Sequence, residues 1–428
     1  MRLSHYTILT EHGDGVFLTG LLSQCVIQVP YAEWEEVKSH LDNKQFASSS
    51  LRSLFDELYS AKIIVDDDFD ELQYVVERSI VARSISDTFG LVIVPSMACN
   101  MNCHYCFENK SNPRSLTSPD IQALVEFTED KLLDSQFENF YVQWFGGEPL
   151  RDVVLVEQTT RVLGDLCQRL DKRLTGDVVT NGYNLTADVA KRLSDVGICT
   201  AQVTLEGERD QHDRIRRVGD GGSYDRIVQN ILGSAQFLDI RIRIHVTPGT
   251  LVGIPTLLRD MHERGVHEAV ERVYFAPLFN YDQDQKELAF LEQPNLYLSS
   301  KDFAKHAVEL HRQAKSLGFT LTDPLATEYS VCTALREYTV VVNPDGSLAK
   351  CYMDAGDLEE TFGTLRDGVT NGDNLSKWRQ VLFSEDEECR ECKFLPVCFG
   401  GCAKETLKGA DKSVVCTPLK YNMDDLVP

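Results

Sequence analysis

Apolar residues in the middle of this chain recur in two alternating rhythms. Short runs of strand length stand at 91–95, 140–145, 177–180, 200–205, 241–247 and 273–278. Between them the apolar spacing is three and four, as expected of helices packed on one face. The best-signalled helix follows the first run: Ser118 stands at the N-cap, Pro119 at the first helical position, and Ile121, Leu124, Val125 and Leu132 on one face. Strand–helix alternation from about residue 90 to 320 predicts right-handed βαβ units and a parallel sheet. Six such units make a partial (β/α)6 barrel of the TIM type, open on one side. In the fifth run Ile240, Ile242, Ile244 and Val246 alternate with Arg241, Arg243 and His245, so one face of that strand is polar.

The flanks follow other patterns. Near the start, strand-like runs at 6–10 and 16–19 flank His12-Gly13-Asp14-Gly15, a hairpin signal, and a third run follows at 25–29. Trp34, Val37 and Leu41, then Leu51, Leu54, Phe55 and Leu58, fall at helical spacing. Residues 1–85 therefore read as a small α+β unit. Towards the other end, Val340 to Val342 run into Asn343-Pro344-Asp345-Gly346, which predicts a hairpin with Cys351 on or just after the returning strand.

Composition narrows the function classes. A chain of 428 residues that is 43% hydrophobic suggests two to three domains with substantial cores. A net charge of −23 argues against sequence-independent nucleic-acid binding, which depends on Lys and Arg neutralising phosphates. There is no apolar run long enough to span a bilayer and no charged-then-apolar leader, so the expectation is a soluble, cytoplasmic protein without membrane partners. Thirteen cysteines, an odd number, then point to metal rather than to a disulfide framework. Cys25, Cys167 and Cys199 stand apart from the others and are expected to pack in cores.

The remaining cysteines carry the chemistry. Seven fall late in the chain, at Cys332, Cys351, Cys389, Cys392, Cys398, Cys402 and Cys416, with spacings of two to five residues in their middle four. Thiolates so spaced turn to one centre, as in tetrahedral zinc sites or iron–sulfur clusters. A separate trio, Cys99, Cys103 and Cys106, follows the first barrel strand. Three thiolates leave one coordination position open for a ligand that is not protein, as catalytic metal sites do. Downstream, Gly146-Gly147-Glu148-Pro149 ends the second strand, and Thr204 with Arg216 frames the fourth. Taken singly, each has an ordinary reading: a strand-ending turn, a hydroxyl and a surface charge, or cysteines buried as small hydrophobes. Their occurrence together, in this order, is what points to function.

Cys99-Asn-Met-Asn-Cys103-His-Tyr-Cys106 resembles the signature of the radical S-adenosylmethionine (SAM) superfamily, C-x3-C-x2-C with an aromatic, here Tyr105, before the last cysteine. The seven later cysteines resemble its SPASM extension. The resemblance spans about residues 90–428 and implies a site. The trio holds a SAM-binding 4Fe-4S cluster, Gly146, Gly147 and Glu148 hold the SAM amino group, and Thr204 and Arg216 hold its carboxylate. Val203-Thr204-Leu205-Glu206-Gly207 departs from the family's usual stretch by Thr for Ser and Glu for Asp. Arg243 is placed by the same resemblance against the SAM ribose, with a solvated or salt-bridged arginine as its plain alternative. Cys389, Cys392, Cys398 and Cys416 are implied to hold an outer auxiliary cluster, and Cys332, Cys351 and Cys402 an inner one. That makes three 4Fe-4S clusters, with zinc as the other occupant of the seven-cysteine region. The inner set lacks a fourth local cysteine, leaving a position for substrate thiolate, Glu328, Tyr329 or water.

The implied organisation is a winged-helix-like peptide-recognition unit (1–85), a radical SAM partial barrel (86–325) and a SPASM domain (326–428). The implied activity uses a 5′-deoxyadenosyl radical to take hydrogen from a ribosomally made precursor peptide and installs a thioether or carbon–carbon cross-link. An electron donor such as flavodoxin or ferredoxin is required. An anaerobic sulfatase-type maturase is the near alternative, but Tyr352 and Glu108 stand where those enzymes carry an acidic residue and a tyrosine. A non-catalytic iron–sulfur protein is the alternative of another class, and it has no use for the SAM-binding motifs.

Overall fold

In a computed structural model, which describes residues 1–43, 51–108, 114–278, 297–323, 332–380 and 382–426, the amino-terminal hairpin signal is met by a three-stranded meander. Strand β1 (Arg2–Leu3) precedes β2 (Thr7–His12), β3 (Gly15–Gly20) and β4 (Cys25–Pro30), which pair antiparallel in sequence order. A two-residue β5 (Ile64–Val65) pairs with β1. Val16, Leu18 and Val29 from the sheet close on Trp34 and Val37 of the helix Tyr31–Asn43 and on Phe55 and Leu58 of the helix Arg52–Ser60. A third helix, Glu71–Ser84, has no counterpart in the sequence pattern. Its buried positions are Glu71, Val75, Ser79 and Arg83, so three of its four inward residues are polar and an apolar period is missing.

The six expected barrel strands are present: β6 (Thr88–Ile93), β7 (Asn139–Trp144), β8 (Arg173–Thr180), β9 (Ile198–Glu206), β10 (Asp239–Val246) and β11 (Arg272–Pro277). Each pairs parallel with the one before it. Their outward residues, among them Leu91, Ile93, Val142, Trp144, Val203, Ile242 and Ile244, pack with the covering helices in the largest core. Fully burying each of these large apolar side chains contributes roughly 1.5–3 kcal/mol. The inward faces of β7 to β11 carry polar side chains, whereas β6 turns Val92 towards Val341 and Ala349. Tyr141 donates to Asp177, and Tyr274 donates to Gln202 at 2.6 Å. The helix after β6, Ser118–Leu132, is capped one residue earlier than expected: the Thr117 hydroxyl and N–H both bond the Asp120 carboxylate, at 2.6 and 3.0 Å.

The carboxy-terminal region joins the same sheet. Strand β12 (Thr339–Val342) pairs parallel with β6, and β13 (Ser347–Ala349), β14 (Gly363–Thr364) and β15 (Gly368–Val369) continue it antiparallel, giving ten strands in all. The two ends of the chain also share a core, in which Tyr6, Ile8, Leu21, Leu22 and Val75 meet Phe383, Leu395, Val397, Leu419 and Met423. Cys167 is buried as expected, but Cys199 is exposed. It falls at an irregularity in the β8–β9 pairing, where Gly176 stands beside Ile198 and Asp177 beside Thr200, so Cys199 has no position opposite it on β8 and faces solvent. Among the described residues no helix is long and apolar enough to cross a membrane.

Glu71 holds the start of the chain to this frame. Its carboxylate accepts from the Arg2 guanidinium, the Ser4 hydroxyl and the His5 N–H. Glu71→Ala leaves those donors without their acceptor and is expected to destabilise the amino-terminal unit by about 2 kcal/mol. Urea unfolding followed by circular dichroism measures the loss.

Candidate active site

The loop carrying Cys99, Cys103 and Cys106 leaves the carboxyl end of β6 and has almost no regular structure of its own. Neighbouring strand ends hold it. The Gly147 N–H donates to the Ser96 carbonyl and the Glu148 N–H to the Ala98 carbonyl, both at 3.1 Å. A Cβ on Gly147 would lie 2.5 Å from the carbonyl oxygens of both Met97 and Ala98. Only glycine permits that approach. From the end of β8, Asn181 donates to the Asn100 side chain at 2.6 Å. The three thiols are half-buried.

Glu148 is 2% exposed. Its carboxylate accepts from Leu150 N–H at 2.9 Å, the Thr180 hydroxyl at 2.6 Å and Asn181 N–H at 2.7 Å. Burial outweighs those donors and raises its pKa. Two oxygens hold about four lone-pair sites, so a further donor has room, and an ammonium group would offset the burial.

Beneath the loop lies a buried polar hub that the motifs do not announce. The Tyr105 hydroxyl donates to Glu206, Arg216 Nη1 donates to the Tyr105 oxygen at 2.6 Å, and His245 Nδ1 donates to Glu206 at 2.9 Å. Register creates the last contact, because β9 and β10 set Glu206 directly beside His245. Burial alone would raise the Glu206 carboxyl, but His245 and Arg216 beside it hold it down to about 2. The carboxylate is therefore ionised. On the same sheet face Thr204 lies beside Arg243, and Arg243 beside Tyr274.

His212 and Asp213 position Arg216. His212 Nδ1 accepts from the Glu206 N–H at 3.3 Å, its Nε2 donates to Ser223 Oγ at 3.1 Å, and that hydroxyl donates on to the Arg216 carbonyl. Asp213 accepts from the N–H groups of Ser223 and Tyr224, at 2.7 and 2.9 Å.

The later cysteines fall into two groups in space. Cys389, Cys392, Cys398 and Cys416 line one cavity. Burial first, then the charges of Cys416, Cys389 and Cys392, raises the Cys398 thiol to about 11. Burial also raises Cys351 and Cys402, and both feel the charge of Cys332. Lysines approach the four-cysteine group: Lys412 Nζ lies 3.2 Å from Cys389 Sγ, and Lys420 Nζ 3.9 Å from Cys416 Sγ. Among the described residues no three Cys, His, Asp or Glu side chains converge tightly enough to grip a single ion. Glu328 and Tyr329 lie outside the described residues.

Residues 93–269 match the Radical SAM superfamily. The chain carries a radical SAM domain. Such a domain works with a 4Fe-4S cluster and SAM. The radical SAM cyclopropyl synthase TigE of Paramaledivibacter caminithermalis is 21% identical over 343 residues, 73% of this chain and 67% of that protein. The PqqA peptide cyclase of Bradyrhizobium diazoefficiens is 21% identical over 350 residues, 75% of this chain and 83% of that one. Among solved structures, SuiB of Streptococcus suis bound to SAM superposes with a TM-score of 0.54 at 16% identity, covering 98% of each chain. That likeness establishes the shared fold.

The radical SAM site fits the group it is expected to hold. Nε of Arg216 and Nε of Arg243 are buried donors with no hydrogen-bond partner among the described residues, and both suit an oxygen-rich ligand. Cys99, Cys103 and Cys106 would supply thiolates to a cluster, and Glu148 would supply an acceptor for an ammonium group.

His212 supplies a pH test of the frame. Burial, with Arg216 nearby, lowers its pKa from the usual 6.5 to about 4, so the folded state holds it neutral. Its contribution to stability is complete above about pH 6.5 and is lost as pH falls towards 4, about 3 kcal/mol in total. His212→Gln should flatten that part of the curve of unfolding free energy against pH.

Proposed function

We propose that this protein is a radical SAM peptide maturase that cross-links side chains of a ribosomally made precursor. The observation that carries the reading is the three-cysteine loop pinned at the carboxyl ends of adjacent barrel strands, over Glu148, Thr204 and Arg216, above a polar lumen. In this reading Cys99, Cys103 and Cys106 hold the SAM-binding cluster. Glu148, with Gly146 and Gly147, takes the SAM ammonium group. Thr204 and Arg216 take its carboxylate, and Arg243 its ribose. When bound, cluster and SAM supply a radical able to remove hydrogen from an unactivated carbon. The protein's part is to fix that ligand, seat the peptide against it and exclude water.

Names of relatives support a peptide substrate: one is a peptide cyclase, and SuiB has been solved bound to its precursor peptide SuiA. Two auxiliary 4Fe-4S clusters complete the proposal, an outer one on Cys389, Cys392, Cys398 and Cys416 and an inner one on Cys332, Cys351 and Cys402. Their role is to accept the electron released when a substrate radical closes on a second atom. A soluble low-potential donor such as flavodoxin or ferredoxin supplies the first electron. We assign residues 1–85 to leader recognition, 86–325 to the barrel and 326–428 to the SPASM domain. Leader recognition draws support from the small sheet, whose outer strands β2 and β4 expose Leu9 and Val26. An extended leader adds to such an edge through backbone hydrogen bonds.

Anaerobically reconstituted protein should bind about twelve irons per chain, and Cys103→Ala about eight. With reductant, SAM and candidate precursors, the parent should form 5′-deoxyadenosine and a peptide lighter by one pair of hydrogens for each new bond. Cys103→Ala should form neither. Mass spectrometry reads both products, and deoxyadenosine formation by Cys103→Ala would remove the assignment.

A further inference from the structure

We propose that Glu405 is the fourth protein ligand of the inner auxiliary cluster, an inference that rests on the cluster assignment above. The inner group contains three cysteines, and no cysteine stands between Cys199 and Cys332 to complete it. Cys402 caps the short helix Ala403–Leu407, and its carbonyl accepts the Thr406 N–H at 2.9 Å, so the chain is already helical there. Glu405, three residues beyond Cys402, projects from the same side of that turn. It is 4% exposed.

The cavity places it with the thiols. Glu405, Cys332 and Cys402 line one space of about 340 Å³, walled by Leu335, Val397 and Val415. Cys398 and Cys416 of the outer group line the same space. The charges of both Cys332 and Glu405 bear on the Cys402 thiol, which ties Glu405 to the inner group. The other nearby carboxylate, Asp354, lies three residues after Cys351, pairs with Lys404 and does not line this cavity. An oxygen ligand on one iron makes that cluster chemically unsymmetrical, and outer-sphere surroundings then tune it.

The test uses full-length, anaerobically reconstituted protein and reads iron content, Mössbauer spectra and electron paramagnetic resonance, with circular dichroism as folding control. Glu405→Ala should lose about one iron per chain, or on mild oxidation give a three-iron signal that the parent lacks. Glu405→Cys should restore the iron with an altered spectrum, because it returns a ligand without the carboxylate's hydrogen bonds. Parent-like spectra in Glu405→Ala would overturn the proposal, as would failure of Glu405→Cys to restore lost iron. A change in Asp354→Asn with none in Glu405→Ala transfers the role to Asp354. If Cys332→Ala, Cys351→Ala and Cys402→Ala together leave the iron content at the parent's value, the inner cluster itself is wrong rather than its fourth ligand.

Discussion

One buried carboxylate holds the candidate active site together. Glu206, fully buried at the end of β9, receives the Tyr105 hydroxyl from the cysteine loop and the His245 N–H from β10, with the Arg216 guanidinium 3.5 Å away. The loop carrying the three thiols has almost no helix or strand of its own to hold it, so its order comes from contacts like these. Hydrogen bonds to charged groups contribute roughly 1.5–3 kcal/mol each, and removing one member of a buried charged pair costs about 3–5 kcal/mol. The Glu-for-Asp change in this stretch thus sits at the junction of three elements.

How much of this was legible in the sequence depended on whether the signal was local. All six barrel strands could be read because their outward faces are apolar. The helix Glu71–Ser84 could not, because its buried stripe is Glu71, Val75, Ser79 and Arg83 and its partners lie elsewhere in the chain. Cys199 looked like a core residue, but a bulge in the β8–β9 pairing, which no local pattern announces, leaves it exposed. In the site, the cysteine trio, Gly-Gly-Glu-Pro, Thr204 and Arg216 were legible as motifs. The Glu206–His245 pair was not, because alternation tells which face a residue occupies but not which residue stands beside it on the next strand. The polar parity of Arg241, Arg243 and His245 was the available hint.

The carboxy-terminal cysteine region is continuous with the barrel rather than appended to it. Pairing of β12 with β6 joins the sheet that carries the trio to the hairpin leading to Cys351. The core shared by the first and last segments closes the chain on its other side. A common sheet holds the two regions at a fixed separation more rigidly than a linker does.

The central claim is that the Glu206 hub positions the three-cysteine loop and Arg216 for SAM. It is tested most directly by titrating SAM into reduced, reconstituted Glu206→Ala protein while following the paramagnetic resonance of the loop's cluster. The account predicts SAM affinity at least about tenfold weaker than the parent's, a loss of about 1.4 kcal/mol, with the signals of the proposed auxiliary clusters unchanged. Parent-like affinity in a folded, iron-loaded variant would contradict it.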